Sequence, residues 1–228
     1  MTKVLAFGNL KGGVGKTTFT CMLANYIHKN TDLSVVVIDA DNDQESLYNK
    51  RLREAEEMDV DPMDDQFYSI LPIDSEDFPE AYMETLEGEY DIVLVDLPGN
   101  MRQSGVKISY AMVDYLFVPM TYTEVDQDSS RVFIDFIKGD VNGIRVENDF
   151  EPTVVYGLLN AIKKNSSKYK EFVENKDWYA ENWIPFLKTD VPHSENIQDQ
   201  FSTVEVAEYK YGNELGELMK EILGIVNR

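Results

Sequence analysis

Residues 4–20 read VLAFGNLKGGVGKTTFT, and this stretch decides the fold class of the 228-residue chain. An apolar run, predicted as a strand over 3–9, leads into a glycine-rich loop, and the loop opens a helix predicted over 17–29. Glycines let the backbone wrap closely round an anion, and the backbone N–H groups at a helix start attract it. The stretch therefore predicts a strand, a phosphate-binding loop and a helix, in that order.

Apolar runs alternate with helical patterns along the rest of the chain. Further strands are predicted at 34–41, 91–98, 115–120 and 153–160, and further helices over 126–138, 163–175 and 213–226. Nearly continuous apolar strands are typical of a parallel sheet that is buried on both faces. We therefore expect one domain over residues 1–228, with an α/β fold in which helices flank a doubly wound, mostly parallel sheet.

Residues 43–88 are harder to interpret. A charged helix is predicted over 44–57, a short strand over 68–73, and a helix over 75–87 with Ser75 as its cap. The same segment has room for a small-molecule pocket, which would matter for a metabolic enzyme.

The composition limits where the protein works and what it binds. The 42 acidic and 21 basic residues give a formal charge of −21, so the chain is a poor general binder of polyanions unless its few cations cluster. Cys21 is the single cysteine, in an apolar helical pattern, which predicts a buried thiol, no internal disulfide and a reducing cytoplasm. No apolar run is long enough for a membrane span, and the acidic polar face of the 213–226 helix argues against a membrane anchor.

The loop carries side chains suited to bind a nucleoside triphosphate and its metal ion. The strict pattern, Gly-x-x-x-x-Gly-Lys-Thr, fails at one position, because Leu10 occupies the place of the first glycine. Lys16 is placed to reach the β- and γ-phosphates, the Thr17 hydroxyl to ligate Mg²⁺, and Thr18 to bond an α-phosphate oxygen. ATP and Mg²⁺ are the expected cofactors. The residues expected to bind the nucleotide in the loop are Lys11, Gly12, Gly13, Val14, Gly15, Lys16, Thr17 and Thr18.

Carboxylates end two of the predicted strands. Asp39 and Asp41 follow the run VVVI, and Asp96 follows IVLV in the run DIVLVDLPG. In an open parallel sheet ligands bind at the carboxyl ends of the strands, so these side chains are expected near the phosphate loop. A lone aspartate at a strand end also suits a helix cap or a turn, and that alternative stays open.

A second lysine, Lys11, stands at the mouth of the loop, and this arrangement resembles the deviant Walker A box of the ParA/MinD group of P-loop ATPases. In that family the extra lysine reaches across a face-to-face dimer to the partner's nucleotide, like an arginine finger supplied in trans. The alternative is that Lys11 is a solvated surface cation. The resemblance implies a catalytic set of Lys11, Lys16 and Asp41, in which Asp41 orients the attacking water. It also implies a magnesium set of Thr17, Asp39 and Asp96, in which Asp96 is the Walker B carboxylate.

The resemblance further implies a base site and a switch segment. Asn160, at the end of VVYGLLN, stands where the family has an adenine-contacting asparagine, and Pro192 in DVPHSENI where a proline packs on adenine. Turn chemistry explains either residue about equally well. Residues 97–105 correspond to the segment that senses the γ-phosphate. The run DNDQES from Asp41 departs from the family's usual Asp-Pro-Gln, and it resembles a branch found with mobile-element and conjugative-transfer regions.

The resemblance favours a ParA-like ATPase in the partitioning or transfer of DNA. ATP and Mg²⁺ would drive a sandwich homodimer, and slow hydrolysis, stimulated by a partner protein, would reset it. Non-specific DNA contact would rely on Lys163, Lys164, Lys168 and Lys170, although a solvated helix face explains this run slightly better.

Other activities of the fold stay open. One is an ATP-dependent small-molecule enzyme of the dethiobiotin-synthetase type. Others are a MinD-like positioning ATPase for protein cargo and an ATP-binding adaptor that hydrolyses almost nothing. Relatives that carry iron–sulfur clusters are set aside, because one cysteine cannot hold a cluster.

Overall fold

The structure is a computed structural model that describes residues 2–40, 46–83, 88–101, 105–193, 202–204 and 214–227. Its centre is a sheet of six parallel strands in the order β3-β2-β4-β1-β5-β6. The strands are β1 Lys3–Phe7, β2 Val35–Asp39, β3 Ser69–Pro72, β4 Ile92–Asp96, β5 Tyr115–Met120 and β6 Val154–Leu159. The predicted parallel α/β fold is confirmed, and β1, which leads into the glycine-rich loop, lies between β4 and β5.

Helices cover both faces of the sheet. They are α1 Lys16–Asn30, α2 Leu47–Met58, α3 Phe78–Ala81, α4 Val106–Ala111, α5 Glu124–Phe136, α6 Asn142–Glu147, α7 Ser167–Glu174, α8 Lys176–Asn182 and α9 Glu214–Val226, with a π-helical turn, Ile137–Val141, between α5 and α6. Val4 of β1 belongs to the apolar cluster under α4 and α5, whereas its neighbour Leu5 belongs to the cluster under α1 and α9. Side chains of a strand alternate between its faces, so each face of the sheet has its own core.

The apolar stripe of α9 is buried in the core of the protein. Its buried residues are Leu215, Leu218, Met219, Ile222, Leu223 and Val226, and they share a cluster with α1. The expected closing helix is therefore confirmed. Across the described residues, no helix is both long and apolar enough to cross a membrane.

Cys21 in α1 is buried, as the apolar pattern predicts. Burial raises the pKa of its thiol to about 12, although the Tyr68 hydroxyl donates a 3.3 Å hydrogen bond to Sγ. A thiol with this pKa is protonated at neutral pH and is a poor nucleophile.

The helix predicted over 75–87 is wrong at its start. Helix α3 begins at Phe78 after Asp77, with a proline in its first turn, where the fixed φ of proline suits a helix. Ser75 does not cap it: Ser75 is buried, and its carbonyl accepts a hydrogen bond from the Ser109 hydroxyl. The end of the predicted helix, 84–87, lies outside the described residues.

Two other predicted helices also begin later than expected. Helix α2 begins at Leu47, where the Ser46 hydroxyl accepts a 3.3 Å hydrogen bond from the backbone N–H of Asn49. Helix α7 begins at Ser167, because residues 163–166 form a turn closed by a 2.8 Å bond from the Ser166 N–H to the Lys163 carbonyl. The periodicity predicts both helices correctly. A capping side chain in α2 and a turn before α7 set the residue at which each helix begins.

The outer edge of β6 is covered by the segment 185–193. The N–H of Gly157 donates to the Pro185 carbonyl, and the N–H of Leu187 donates to the Gly157 carbonyl, both at 2.9 Å. A Cβ on Gly157 would stand 2.4 Å from the Phe186 ring, so only glycine allows this close packing. Further along, Ile162 and Pro192 form a parallel bridge. This pairing carries the chain back to the carboxyl end of the sheet, beside the glycine-rich loop.

Candidate active site

The loop between β1 and α1 is built on left-handed glycines. Gly13 has φ 72° and Gly15 has φ 100°, a region that residues with a Cβ rarely adopt. A Cβ on Gly15 would also stand 3.0 Å from side-chain atoms of both Phe19 and Asn160. Gly15 is the N-cap of α1 and offers no side-chain cap, so the first N–H groups of the helix point into the loop without that partner. This is the backbone arrangement that binds a phosphate.

Lys16 extends from the start of α1 over the segment that follows β4. Its Nζ lies 3.2 Å from the point where a Cβ on Gly99 would stand, and that point is also 3.4 Å from the Asn9 carbonyl. A larger residue at Gly99 would push against the lysine and the loop together. Among the described residues, Lys16 forms no ion pair, so its ammonium is available to an anion in the loop.

Asp39 and Asp96 lie side by side at the carboxyl end of the sheet. They are register partners on β2 and β4, and both are buried, with 1% and 2% exposure. Two buried carboxylates in neighbouring register repel each other unless a cation lies near them. Asp39 also contacts α2, because its Oδ2 accepts a 2.8 Å hydrogen bond from the Tyr48 N–H in the first turn of that helix. The ligand and helix-cap interpretations of Asp39 are therefore compatible.

The donor set fits Mg²⁺ when a nucleotide supplies the rest. Within the described ranges, no group of three or more His, Cys, Asp or Glu side chains could hold a metal ion by itself. Mg²⁺ commonly takes one or two protein oxygens and completes its octahedron with water and phosphate oxygens. Thr17, in the first turn of α1, and Asp96 are suited to supply those oxygens, directly or through water.

Lys11 forms an ion pair with Asp126 of its own chain, in the first turn of α5. The Lys11 side chain is 45% exposed and that of Asp126 only 5%. Burial alone would raise the pKa of Asp126, but hydrogen bonds from Lys11 and Thr121 outweigh it and lower that pKa below its ordinary value. Lys11 is therefore paired within its own chain, while almost half of its side chain stays in contact with solvent. Asp126 was not expected from the sequence, because an acid in the first turn of a helix is an ordinary helix signal.

Asn9 ties the base of the loop to β5 and α5. Its amide nitrogen donates to the Pro119 carbonyl at 2.9 Å and to the Ser130 hydroxyl at 2.8 Å, and its Oδ1 accepts from the Lys11 N–H at 3.2 Å. The Ser130 hydroxyl in turn donates to the Asp126 carbonyl at 2.7 Å. Asn9 and Ser130 are buried, so the network fixes the loop against the helix that carries Asp126.

The two residues predicted for the base site are brought together beside the loop. Asn160 donates from Nδ2 to the Val14 carbonyl at 2.8 Å, and its Oδ1 accepts from the Ala161 N–H at 2.7 Å. Pro192 lies on the neighbouring extended segment, paired with Ile162. Both positions suit a nucleotide base next to the phosphates, and contact with adenine stays a prediction.

Two predicted features fall partly or wholly outside the described residues. Asp41, predicted to orient the attacking water, is in the run 41–45, which the structure does not describe. The predicted switch segment 97–105 is described at 97–101 and 105 only. Of its described part, Leu97 and Pro98 are buried directly after Asp96, and Gly105, the N-cap of α4, has φ 79°.

The predicted DNA patch is exposed, but acids accompany it. Its residues are Lys163, Lys164, Lys168 and Lys170. Lys164 is paired with Glu214 at 2.7 Å, with both side chains largely in solvent. Tyr169, within the patch, donates a 2.9 Å hydrogen bond to Asp190, and its pKa rises to about 12 through burial and that acceptor. The patch is thus a mixed-charge surface.

A protein-family model, CbiA, described as the CobQ/CobB/MinD/ParA nucleotide binding domain, matches residues 5–226. In a direct sequence search, no curated protein matches the chain significantly. The match spans the glycine-rich loop, the buried carboxylates of Asp39 and Asp96, and the base-site candidates, which are the features that the structure brings together.

Solved structures share the whole fold. A candidate plasmid partition protein from Borrelia burgdorferi, bound to AMPPNP, superposes with a TM-score of 0.70 at 19% identity over 100% of this chain and 99% of that chain. The MinD cell division protein of Aquifex aeolicus gives 0.68 at 19% identity, over 98% and 97%. Cobyrinic acid a,c-diamide synthase from Mycobacterium smegmatis, with ADP and magnesium, gives 0.67 at 17% identity, over 100% and 96%. These three proteins have different activities, so their likeness establishes the fold alone.

Proposed function

The chain belongs to the CobQ/CobB/MinD/ParA nucleotide-binding family, and from this premise we propose that it is a cytoplasmic ATPase of the ParA type. ATP and Mg²⁺ bind the loop after β1, and two loaded subunits then join face to face as a homodimer. Slow hydrolysis, stimulated by a partner protein, separates the subunits. The cycle serves as a switch in the partitioning or transfer of DNA.

The observation that carries the proposal is the separation of the two loop lysines. Lys16 extends over Gly99 toward the segment after Asp96, where the phosphates of a bound nucleotide would lie. Lys11 turns the other way, to α5 at the entrance of the loop. Lys16 is thus directed to the nucleotide of its own subunit, and we propose that Lys11 serves the nucleotide of a second subunit. A cation supplied in this way stabilises γ-phosphate charge only when two loaded subunits meet.

The other site residues have roles consistent with this cycle. The loop glycines and Val14 surround the phosphates with backbone N–H groups, and Thr18 bonds the α-phosphate. Thr17, Asp39 and Asp96 belong to the magnesium shell. Asp41 orients the attacking water, and Asn160 and Pro192 border the base.

A metabolic ATP-dependent enzyme is the competing function, and residues 43–88 were the expected place for its substrate pocket. The segment does contain a small hollow, whose polar wall includes Arg51. The Arg51 guanidinium, however, already donates to the carbonyls of Pro62, Tyr68 and Thr203 at 2.7–3.2 Å and stacks over Phe67. This arginine is used to pack the protein, which argues against a substrate site there.

The switch itself is tested by sedimentation velocity of the purified protein with Mg²⁺ and a non-hydrolysable ATP analogue, and with ADP as the control. We expect a dimer with the analogue and a monomer with ADP. A monomer under both conditions, at protein concentrations up to about 100 μM, would rule out the sandwich dimer.

The DNA role is tested with the Asp41→Ala protein, which is expected to keep ATP bound in the dimer. Binding to non-specific duplex DNA is measured with ATP and with ADP, at low and at physiological salt. ATP-dependent binding that weakens steeply with salt supports partitioning or transfer. A dimer that binds no DNA at low salt points instead to a protein-cargo positioner.

A further inference from the structure

Asp126 is a fixed anion beside Lys11, at the entrance of the loop. One carboxylate oxygen accepts the hydrogen bond from Lys11 and the other accepts from the Thr121 hydroxyl. Its backbone carbonyl is held by Ser130 at 2.7 Å, and its position in the first turn of α5 favours a negative charge. The carboxylate is nearly buried, so it cannot follow a lysine that moves away.

Lys11, in contrast, is free to leave. Its side chain is almost half exposed, and the next two residues, Gly12 and Gly13, have open space at their Cβ positions. Its ammonium is a compact point charge on a flexible stem, and it cannot serve two anions at separate places at once. Contact with Asp126 and contact with a partner's phosphates are therefore alternatives.

We infer that Asp126 is a positioning residue that holds Lys11 within its own subunit until two nucleotide-loaded subunits meet. Dimer formation then includes an exchange, in which Lys11 leaves Asp126 for the phosphates bound by the partner. The inference rests on the proposed function, because that function gives Lys11 its second site. Asp126 thus opposes dimerisation and raises the protein concentration at which the ATP-loaded subunits join.

The test is the substitution Asp126→Asn, which removes the charge while the amide oxygen can still accept from Thr121. The matched control is Asp140→Asn, which removes the same charge from an exposed pair with Lys107 at 2.9 Å. Dimerisation with the ATP analogue is measured by sedimentation over a range of protein concentrations. Two pairs are broken in each dimer, so we expect the dimer Kd of Asp126→Asn to fall about 5- to 25-fold, with Asp140→Asn within about 2-fold of the wild type.

The contact itself is read by NMR of lysines that carry ¹³C-methyl groups introduced by reductive methylation. The Lys11 signal is assigned from its loss in a Lys11→Arg variant, and the spectrum also reports whether each variant is folded. In the nucleotide-free protein, Asp126→Asn should shift the Lys11 signal, and Asp140→Asn should leave it in place. An unchanged Lys11 signal in Asp126→Asn overturns the inference.

The outcomes separate the two proposals. If no protein dimerises with the analogue, the proposed function is wrong, and the exchange is wrong with it. If the wild type dimerises but Asp126→Asn dimerises equally or less well, only the restraint is wrong. Weaker dimerisation of Asp126→Asn would mean that Asp126 instead helps Lys11 to reach the partner.

Discussion

Two groups of lysines show how the same side chain differs with its place in the fold. Each loop lysine has a defined position: Lys11 pairs with the nearly buried carboxylate of Asp126, and Lys16 lies over Gly99. The patch at 163–170 has twice as many lysines, but they are exposed, and Lys164 already shares its charge with Glu214. In a chain with a formal charge of −21, we therefore expect anion binding to depend more on how a lysine is held than on how many lysines are adjacent.

The largest effect is expected from Lys16→Ala. The variant loses two or more charge-assisted hydrogen bonds to phosphate, at about 1.5–3 kcal/mol each, so the Kd for ATP should rise by about 100-fold or more. The control is Lys168→Ala in the patch, which should change this Kd by less than about 2-fold. Titration calorimetry with ATP and Mg²⁺ measures both. An equal rise of the Kd for ATP in Lys16→Ala and Lys168→Ala would contradict the distinction between loop lysines and patch lysines.

Lys11→Ala should separate binding from hydrolysis. We expect the Kd for ATP to stay within about 3-fold of the wild type, because Lys11 faces α5 in its own subunit, whereas hydrolysis should fall by about 1,000-fold or more. Single-turnover assays above and below the dimer Kd distinguish the two steps. Normal dimerisation and turnover in this variant would contradict the role given to Lys11.

The lysines of the patch are compared with one another by their effect on DNA binding, measured with the Asp41→Ala protein in its ATP form. Adding Lys168→Gln and Lys170→Gln should weaken binding at low salt by about 10-fold and flatten its salt dependence, since each lysine is doubled in a dimer. Lys164→Gln should have a smaller effect, because Glu214 already neutralises that lysine. A matching loss with Lys107→Gln, outside the patch, would show that only total charge matters.

The smallest effect is expected on stability, from two double-mutant cycles of unfolding by urea. The pair Lys11 and Asp126 should give a coupling of about 1 kcal/mol after discounting for the exposed lysine, and the exposed pair Lys164 and Glu214 about 0.5 kcal/mol or less. The pKa of Asp126 is lowered in the folded protein, so its contribution is complete above about pH 4, the ordinary aspartate pKa, and is lost as the pH falls through the folded value. A coupling that grows on acidification would contradict this sign.

The central strands and the phosphate loop were predictable because they depend on local patterns. Four-residue apolar runs fix β2 and β4, and the glycines at 13 and 15 are required by the φ angles that the loop adopts. Asp39 and Asp96 were predictable as neighbours, because parallel strands bring their carboxyl ends to one edge.

Contacts between distant segments were not predictable. Lys11 and Asp126 are 115 positions apart, and Asn9 and Ser130 are 121 apart, so no local pattern links them. Ser75 was misread for a related reason. A serine before a helical pattern is usually a cap, but here its carbonyl is needed by Ser109 of α4 and the helix begins after Asp77. Contacts between distant parts of the chain determine what each of these residues does in the fold.

The two outer strands of the sheet, β3 and β6, offer little open edge to another chain. Strand β3 has only four residues and ends at Pro72, and the outer side of β6 is paired with the segment 185–193. Open strand edges let a chain recruit further copies by backbone pairing, which leads to fibres and irreversible aggregates. Because both flanks of this sheet are blunted, growth by strand addition is discouraged. The proposed homodimer uses the nucleotide-binding end of the sheet instead, where hydrolysis would undo each union.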